Sequence, residues 1–287
     1  MSKNSQVAAA DPKAETRLSP FPPVANALIA LAGRDDVSLA DVTEVLAIDA
    51  AISTEVLRLA NSGFVGVRGE VSSITQAAAI LGLKRVSALA ATIALRGAFG
   101  ALWQTPVVQQ CWHHNLASAL TAEAMAHALG VDPNSAYTAG LLHDIGRLAM
   151  IVEHRQKYIR MLRTPPPPGS DYRALERLEF KVDHTEVGGD IAESLELPQA
   201  ITDAVRHHHE PPASNGGMTT FAHVACGIAT AMGFGVTGVE KPKPNPDAAD
   251  AVIGMIPEPH RQKLRNQRER LFTDIPELLA AYDNALS

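Results

Sequence analysis

The sequence predicts an all-α protein, folded as a multi-helical bundle in two parts. Aromatic residues make up only 5% of the chain while alanine is abundant, and such a composition favours closely packed helices over a sheet. Apolar residues recur at helical spacing along most of the chain, and the first hundred residues hold five or six such segments without a strand pattern. With 287 residues, the chain is long enough to bury a large apolar core.

The first helical part is expected to span residues 18–105, after a polar, alanine-rich tail of residues 1–17 that is predicted to be disordered. Its first helix should end at Gly33, since glycine readily adopts the backbone conformation that closes a helix. The next helix should begin after Ser38, whose hydroxyl can cap the helix together with Asp41 three positions later. These signals predict short helices with defined ends.

The second helical part is expected to span residues 106–232. One long helix should end at Gly130, and the next, SAYTAGLLHDIGRLAMIVEH, is predicted to run unbroken through the adjacent His143 and Asp144. The four prolines at 165–168 cannot be helical and predict a loop.

The charge pattern argues against a general attraction to nucleic acid or anionic lipid. The formal net charge is −6, which gives no long-range pull toward polyanions. Residues 233–287 are predicted to form a loop and charged C-terminal helices, with five Lys and Arg side chains between positions 261 and 270. These side chains could contact an anionic partner, although a solvated helix face is the favoured interpretation.

A cytoplasmic location is expected from three features. The two cysteines, Cys111 and Cys226, do not form a CxxC pair, and this pattern fits a reducing compartment. The N-terminal residues lack the apolar core of a secretory signal. The most apolar run, residues 86–95, is too short to span a bilayer, so no membrane association is expected.

The histidines are unevenly distributed and form a candidate metal site. None of the 11 lies before residue 113. Antiparallel helices can project side chains from separate helices to one point, and the clusters are His113 with His114, His143 with Asp144, Asp183 with His184, and His207 to His209. Imidazoles with a carboxylate suit iron, manganese or zinc. A bound cation would also replace the hydration that a buried Asp144 carboxylate loses.

A structural explanation stands beside the metal hypothesis for each histidine. An isolated histidine is more often a capping or surface residue than a ligand, and His127, His154 and His260 are interpreted in that way. His207 is expected to face outward, because three consecutive histidines point in different directions around a helix. For His223, a structural role and the lining of a pocket are both open.

Several motifs resemble the HD superfamily of helical metal-dependent phosphohydrolases. The order W-x-H, GLLHDIGRL, DHTEVG and HHEP carries this resemblance. The preceding segments, SLADVTEVLAIDAAISTEVLRLANSGFVG and VSSITQAAAILGLKRV, resemble the HDOD domain, the HD-related output domain of bacterial signalling proteins. The similarity covers roughly residues 18–230 and implies an HD-like helical core in the second part.

The resemblance implies a set of metal ligands. The positions that match the HD pattern, including its HD-GYP branch that hydrolyses cyclic dinucleotides, are His114, His143, Asp144, His184, His208 and His209. Arg147 matches a position where HD-GYP proteins commonly carry a lysine near the phosphate, and an arginine keeps that charge. A divalent ion (iron, manganese or zinc) is the implied cofactor, kept either for function or as a vestige.

Two departures from the HD pattern count against catalysis. The last expected ligand is an aspartate, and Cys226 occupies its position. A thiolate is a poor substitute in a centre of hard, oxygen-bridged ions, so one ion site should be weakened or lost. The segment after Glu210 also lacks the Gly-Tyr-Pro sequence.

Three functions compete. The first is a bacterial signalling protein that binds a partner protein or a nucleotide without turnover, and it explains the HDOD-like N-terminal region. The second is a metal-dependent phosphohydrolase or cyclic-dinucleotide phosphodiesterase, and it explains why so many ligand positions are kept. DNA binding is the weakest, since the helix-turn-helix-like segment offers only Arg58 as a base-reading cation. The first is our prediction, with a metal kept as a structural centre, and an enzyme is the alternative.

Overall fold

A computed structural model describes residues 19–66, 69–167, 171–211, 217–236 and 242–286. Fourteen α-helices and no strand occur in these residues, which confirms the predicted all-α class. The tail predicted for residues 1–17 lies outside the described residues.

The first part contains five helices, in agreement with the sequence pattern. They are α1 (Pro23–Gly33), α2 (Leu39–Ile48), α3 (Ala50–Ala60), α4 (Ile74–Leu81) and α5 (Leu83–Gly97), followed by a 3-10 turn (Gly100–Gln104). Helix α5 is buried along most of its length and packs against α1, α3 and α4. The amide of Asp41 donates to the hydroxyl of Ser38, and the amide of Ser38 donates to the carboxylate of Asp41. The expected capping box therefore starts α2.

The second part and the C-terminal region contain nine helices in the described residues. They are α6 (Pro106–Leu129), α7 (Pro133–Leu142), α8 (Ile145–Leu162), α9 (Tyr172–Phe180), α10 (His184–Ser194), α11 (Gln199–His207), α12 (Met218–Ala229), α13 (Pro246–Ile253) and α14 (His260–Ala285), with a π-helical turn (Thr230–Phe234) after α12. The long helix α6 ends at Gly130 as predicted. Helices α7, α12 and α14 pack along α6, while α10 contacts both α8 and α11.

The single helix predicted across His143 and Asp144 is wrong. Helix α7 ends immediately before this pair and α8 begins immediately after it, with Asp144 at a φ of −105° and a ψ of 22°. Periodicity could not indicate the break, because the apolar pattern continues on both sides. The break goes with contacts that exist only in the folded protein, since His143 lies beside His114 of α6 and Asp144 lies beside His184 of α10. Two residues after Asp144, a Cβ at Gly146 would lie 1.9 Å from the carbonyl oxygen of His184, so α8 approaches α10 this closely only at a glycine.

The C-terminal helix α14 contacts both parts of the molecule. Its Tyr282 ring lies 5.5 Å from the ring of Phe64, at the end of the α3 segment, and 6.2 Å from that of Trp112 on α6. The predicted charged helix is therefore also a core element, with one buried face and one charged face. Among the residues that the structure describes, no helix combines the length and the apolar content needed to cross a membrane.

Candidate metal centre

The predicted ligands come together between α6, α8, α10, α11 and α12. They are His114 on α6, His143 and Asp144 between α7 and α8, His184 at the start of α10, and His208 and His209 after α11. Cys226 on α12, which was not predicted as a ligand, lies with them. The carboxylate of Asp183 accepts hydrogen bonds from the backbone amides of Thr185 and Glu186, so it caps α10 and holds His184 at the first helical position. These side chains form two groups, within each of which the candidate ligand atoms lie within 4.8 Å of one another.

The first group consists of His114, His143 and Cys226. Nδ1 of His114 donates to the carbonyl of Phe234 (3.0 Å), and Nδ1 of His143 donates to the carbonyl of Gly140 (2.7 Å). Since a carbonyl oxygen only accepts, each neutral ring carries its lone pair on Nε2. These two Nε2 atoms face each other 3.3 Å apart, and Sγ of Cys226 lies 3.5 Å from Nε2 of His114. Facing lone pairs repel, and the Cys226 thiol, which donates to Nε2 of His114, offsets only one of them, so a cation beside both would stabilise the group.

Burial keeps the first group neutral. It lowers the pKa of His114 to about 4 and holds the pKa of His143 well below the ordinary value. Burial also raises the pKa of the Cys226 thiol to about 12. The group therefore has no charge of its own to offset the facing lone pairs, and its nitrogen and sulfur atoms are the ligands that zinc prefers.

The second group consists of Asp144, His184, His208 and His209. Oδ1 of Asp144 lies 3.1 Å from Nε2 of His184 and 3.5 Å from Nε2 of His208, and Nε2 of His184 lies 3.0 Å from Nε2 of His209. Nδ1 of His208 donates to the carbonyl of Val205 (2.9 Å), which leaves the lone pair on Nε2. Within the described residues, Oδ1 of Asp144 and Nε2 of His208 have no hydrogen-bond partner. Because buried polar atoms without partners cost free energy, this donor set fits a divalent cation.

A buried carboxylate that sequence analysis missed supports the second group. Oε2 of Glu176 accepts hydrogen bonds from Nδ1 (2.6 Å) and from the backbone amide (2.9 Å) of His184, and Oε1 accepts one from the hydroxyl of Tyr158. Burial alone would raise the pKa of Glu176, but His184, Arg147 and Tyr158 hold it at about 2. The ionised carboxylate therefore orients the His184 ring.

The sequence carries a signal for Glu176, although it is a weak one. Glu176 lies four residues after Tyr172 and four residues before Phe180, so it shares the apolar face of α9 with both rings. It is also the one fully buried side chain that the structure describes on this helix. A carboxylate on the apolar face of a helix indicates that a positively charged partner lies in the core beneath that face.

Arg147 lies between two carboxylates, away from solvent. Its Nε donates to Oδ2 of Asp144 (2.7 Å) and its Nη1 donates to Oε1 of Glu176 (3.3 Å), while its side chain is 5% exposed. Burial would raise the pKa of Asp144, but the Arg147 guanidinium and the neighbouring histidines outweigh it and hold that pKa well below its usual range. This position gives the predicted phosphate-binding role of Arg147 no support.

The remaining histidines lie outside the two groups. His113 pairs with an aspartate of α14 (3.0 Å), and His207 faces outward, as expected, and pairs with the glutamate three residues later (2.8 Å). His223 has a structural contact, because its Nδ1 donates to the backbone carbonyl of His208 (2.8 Å). His127 and His260 are exposed, in line with their interpretation as surface residues, and His154 is half-buried.

Sequence comparison relates the chain to a known family. A sequence model of the HDOD domain matches residues 18–211. An uncharacterized protein of Treponema pallidum (strain Nichols) is 26% identical over 180 residues, which are 62% of this chain and 34% of that protein. The match thus spans about a third of the length of this relative.

Structural comparison finds the same fold in solved proteins. A candidate phosphohydrolase from Shewanella amazonensis SB2B aligns with a TM-score of 0.66 and 21% identity, over 91% of this chain and 95% of that chain. A candidate signal transduction protein from Marinobacter aquaeolei VT8 aligns with a TM-score of 0.65 and 22% identity, over 95% of this chain and 60% of that chain. At these identities the likeness concerns the fold alone. Because the HDOD match covers most of the sequence, the chain belongs to the HDOD family.

Proposed function

We propose that this protein is a signalling module that binds a partner, and that its buried centre holds a divalent metal as a structural element without substrate turnover. The observation that carries the proposal is the buried ion pair between Arg147 and Asp144, with Nε and Oδ2 2.7 Å apart. Asp144 is the one carboxylate among the candidate ligands, and this pair leaves only its Oδ1 for a metal.

A hydrolytic metal centre has two requirements that this arrangement does not meet well. A catalytic ion keeps a coordination position open for water, and a two-ion centre uses a hard ligand to bridge its ions. Here Asp144 is paired with Arg147, and Cys226 stands near His114 where a hard ligand is expected. The side chains of His143 and His184 are fully buried. These features support a closed, structural site.

Each residue of the centre then has a definite task. His114, His143 and Cys226 would hold one ion, and the second group of Asp144, His184, His208 and His209 would hold another. A bound divalent ion supplies positive charge for the buried lone pairs and links helices that are distant in sequence. Glu176 and Arg147 position His184 and Asp144.

Metal content and stability test the structural role. The full chain, purified without added metal, should contain stoichiometric zinc, iron or manganese by elemental analysis. His143→Ala should lose metal and melt at a lower temperature, because a ligand and a buried hydrogen bond to Gly140 disappear together. His127→Ala, on an exposed histidine, is the matched control. Unchanged metal content and melting temperature in His143→Ala would contradict the proposal.

A metal-dependent phosphohydrolase or cyclic-dinucleotide phosphodiesterase is the second candidate. The observation in its favour is that a full set of six predicted ligands converges, with Asp144 adjacent to histidines of the second group. The likeness to a candidate phosphohydrolase is compatible with it. Hydrolysis of a cyclic dinucleotide or a phosphomonoester by the metal-loaded chain, abolished in Asp144→Ala, would replace the signalling proposal with this one.

A further inference from the structure

Helices α8 and α9 are rich in basic side chains and share a groove on the surface. Between residues 153 and 181 there are seven Lys and Arg side chains against four Asp and Glu, in a chain with a net charge of −6. One of the four acids, Glu176, is buried and does not contribute to the surface. The outer face of these two helices is therefore basic.

An apolar groove runs along this basic face. It has a volume of about 560 Å³ and lies between the two helices, where Met161, Leu175 and Leu178 line it. Leu178 is 71% exposed, although a side chain of this size is usually covered. Met161 and Leu175 are half-buried beside it, and an apolar groove with an exposed leucine and a charged rim is typical of a protein interaction site.

Two of the three cations at the rim are available to a partner. Lys157 and Arg160 also line the groove, and Arg163, the residue directly after α8, lies exposed three positions on from Arg160. Lys157 pairs with Glu179 (3.0 Å), whereas Arg160 and Arg163 form no ion pair with the residues that the structure describes. An occupant with carboxylates beside the groove would pair with these guanidinium groups.

We propose that this groove is the docking surface for an acidic amphipathic helix of a partner protein. Side chains of α8 and α9 offer an apolar floor to the apolar face of a third helix, which is a recurrent mode of peptide recognition. The free arginines at the rim select acidic side chains on the flanks of that helix. An apolar floor with Leu178 at its edge favours this occupant over a nucleic acid, whose backbone would contact the cations alone. The inference rests on the proposed partner-binding function and names the chemistry of the partner.

The surface is joined to the buried centre through α9. The face of α9 opposite Leu178 carries Glu176, which holds His184 and Arg147. The one helix thus contributes both a wall of the groove and a support of the centre. None of the groove residues is a candidate ligand, so the groove can be altered while the centre is kept.

A synthetic peptide provides the probe. We would use a fluorescein-labelled amphipathic helix of about 18 residues, with leucine on one face and glutamate elsewhere, and measure its binding to the full chain by fluorescence anisotropy. Leu178→Asp and Arg160→Glu should each weaken binding about tenfold, because they remove an apolar contact and reverse a rim charge. The affinity should also fall as salt is added, since exposed charges are screened.

Matched variants elsewhere on the surface act as controls. Ile48 on α2 is 70% exposed, so Ile48→Asp reproduces the chemical change at Leu178 on another face. Arg265→Glu on α14 likewise reverses an exposed positive charge. Both controls should bind the peptide as the unaltered chain does, and all four variants should keep their melting temperature and metal content.

Several outcomes would overturn the docking proposal. They are no binding of the glutamate peptide, equal binding of a lysine version, and equal loss of binding in the controls. Two further probes are vesicles of phosphatidylcholine and phosphatidylserine, and a single-stranded DNA oligonucleotide. If either binds more tightly than the peptide, and if this binding is lost in Arg160→Glu, the surface belongs to another class of partner. The two proposals fail in different experiments. The docking proposal fails in the peptide-binding assay, in variants that keep their metal content. The structural metal role fails in the His143→Ala and hydrolysis experiments.

Discussion

The two groups of candidate ligands lie next to each other but are stabilised in different ways. In the first group, backbone carbonyls fix the rings of His114 and His143, and no charged side chain is bonded to either ring in the described residues. In the second group, Arg147 pairs with Asp144 and Glu176 pairs with His184. The second group is therefore partly compensated by the charged side chains of the protein itself, whereas the first group has only neutral partners in the described residues, and a bound cation would offset its facing lone pairs. Neighbouring candidate sites in one core can thus differ in how far charged side chains already compensate them.

Removal of the Arg147 guanidinium should have the largest effect on stability. Arg147→Met would leave two buried carboxylates, Asp144 and Glu176, without their guanidinium partner. We expect the free energy of unfolding to fall by about 3–5 kcal/mol, because a broken buried ion pair leaves uncompensated charge. Urea denaturation measures the change, with the exposed Arg160→Met as control. A loss no greater than that of the control would show that the second group is not held by charge pairing.

Zinc should stabilise the first group by a smaller amount. A ligand present at 100 times its Kd raises the free energy of unfolding by about 2.7 kcal/mol, provided that it binds only the folded chain. Cys226→Ser should lose most of this gain because it removes the thiolate ligand, and Cys111→Ser, at the other cysteine, should retain it. Thermal melts with zinc and with a chelator give the comparison. If zinc stabilises Cys226→Ser as much as it stabilises the unaltered chain, the Cys226 thiol is not a ligand.

Loss of the Glu176 charge should have the smallest effect on stability. Glu176→Gln keeps the shape of the side chain but weakens its hydrogen bond to Nδ1 of His184. We expect a loss of about 1–2 kcal/mol, and a fall of about tenfold in metal affinity at the second group only. Titration of the metal-free chain with zinc would resolve the two groups. Glu179→Gln, at an exposed carboxylate of the same helix, should change neither quantity.

Motif resemblance predicted six of the seven side chains that form the two candidate ligand groups, but not the residues that support them. The positions of His114 and His184 followed from motif resemblance, and both lie where the two groups form. Glu176 escaped because nothing local distinguishes a carboxylate that pairs across the core from one that faces solvent. Arg147 was expected at a phosphate because its motif position suggested it, and its contacts with Asp144 and Glu176 exist only once α8 and α9 are packed.

By itself, the sequence determined the helical class, the capping box at Ser38 and the end of α6 at Gly130, because these depend on residues within a few positions of one another. Only the tertiary structure decided that the chain breaks at His143 and Asp144, and which ring nitrogen of each histidine points inward. Those features depend on carbonyls, glycines and charges contributed by distant segments. Close packing brings such groups together, and no periodic pattern along one helix contains them.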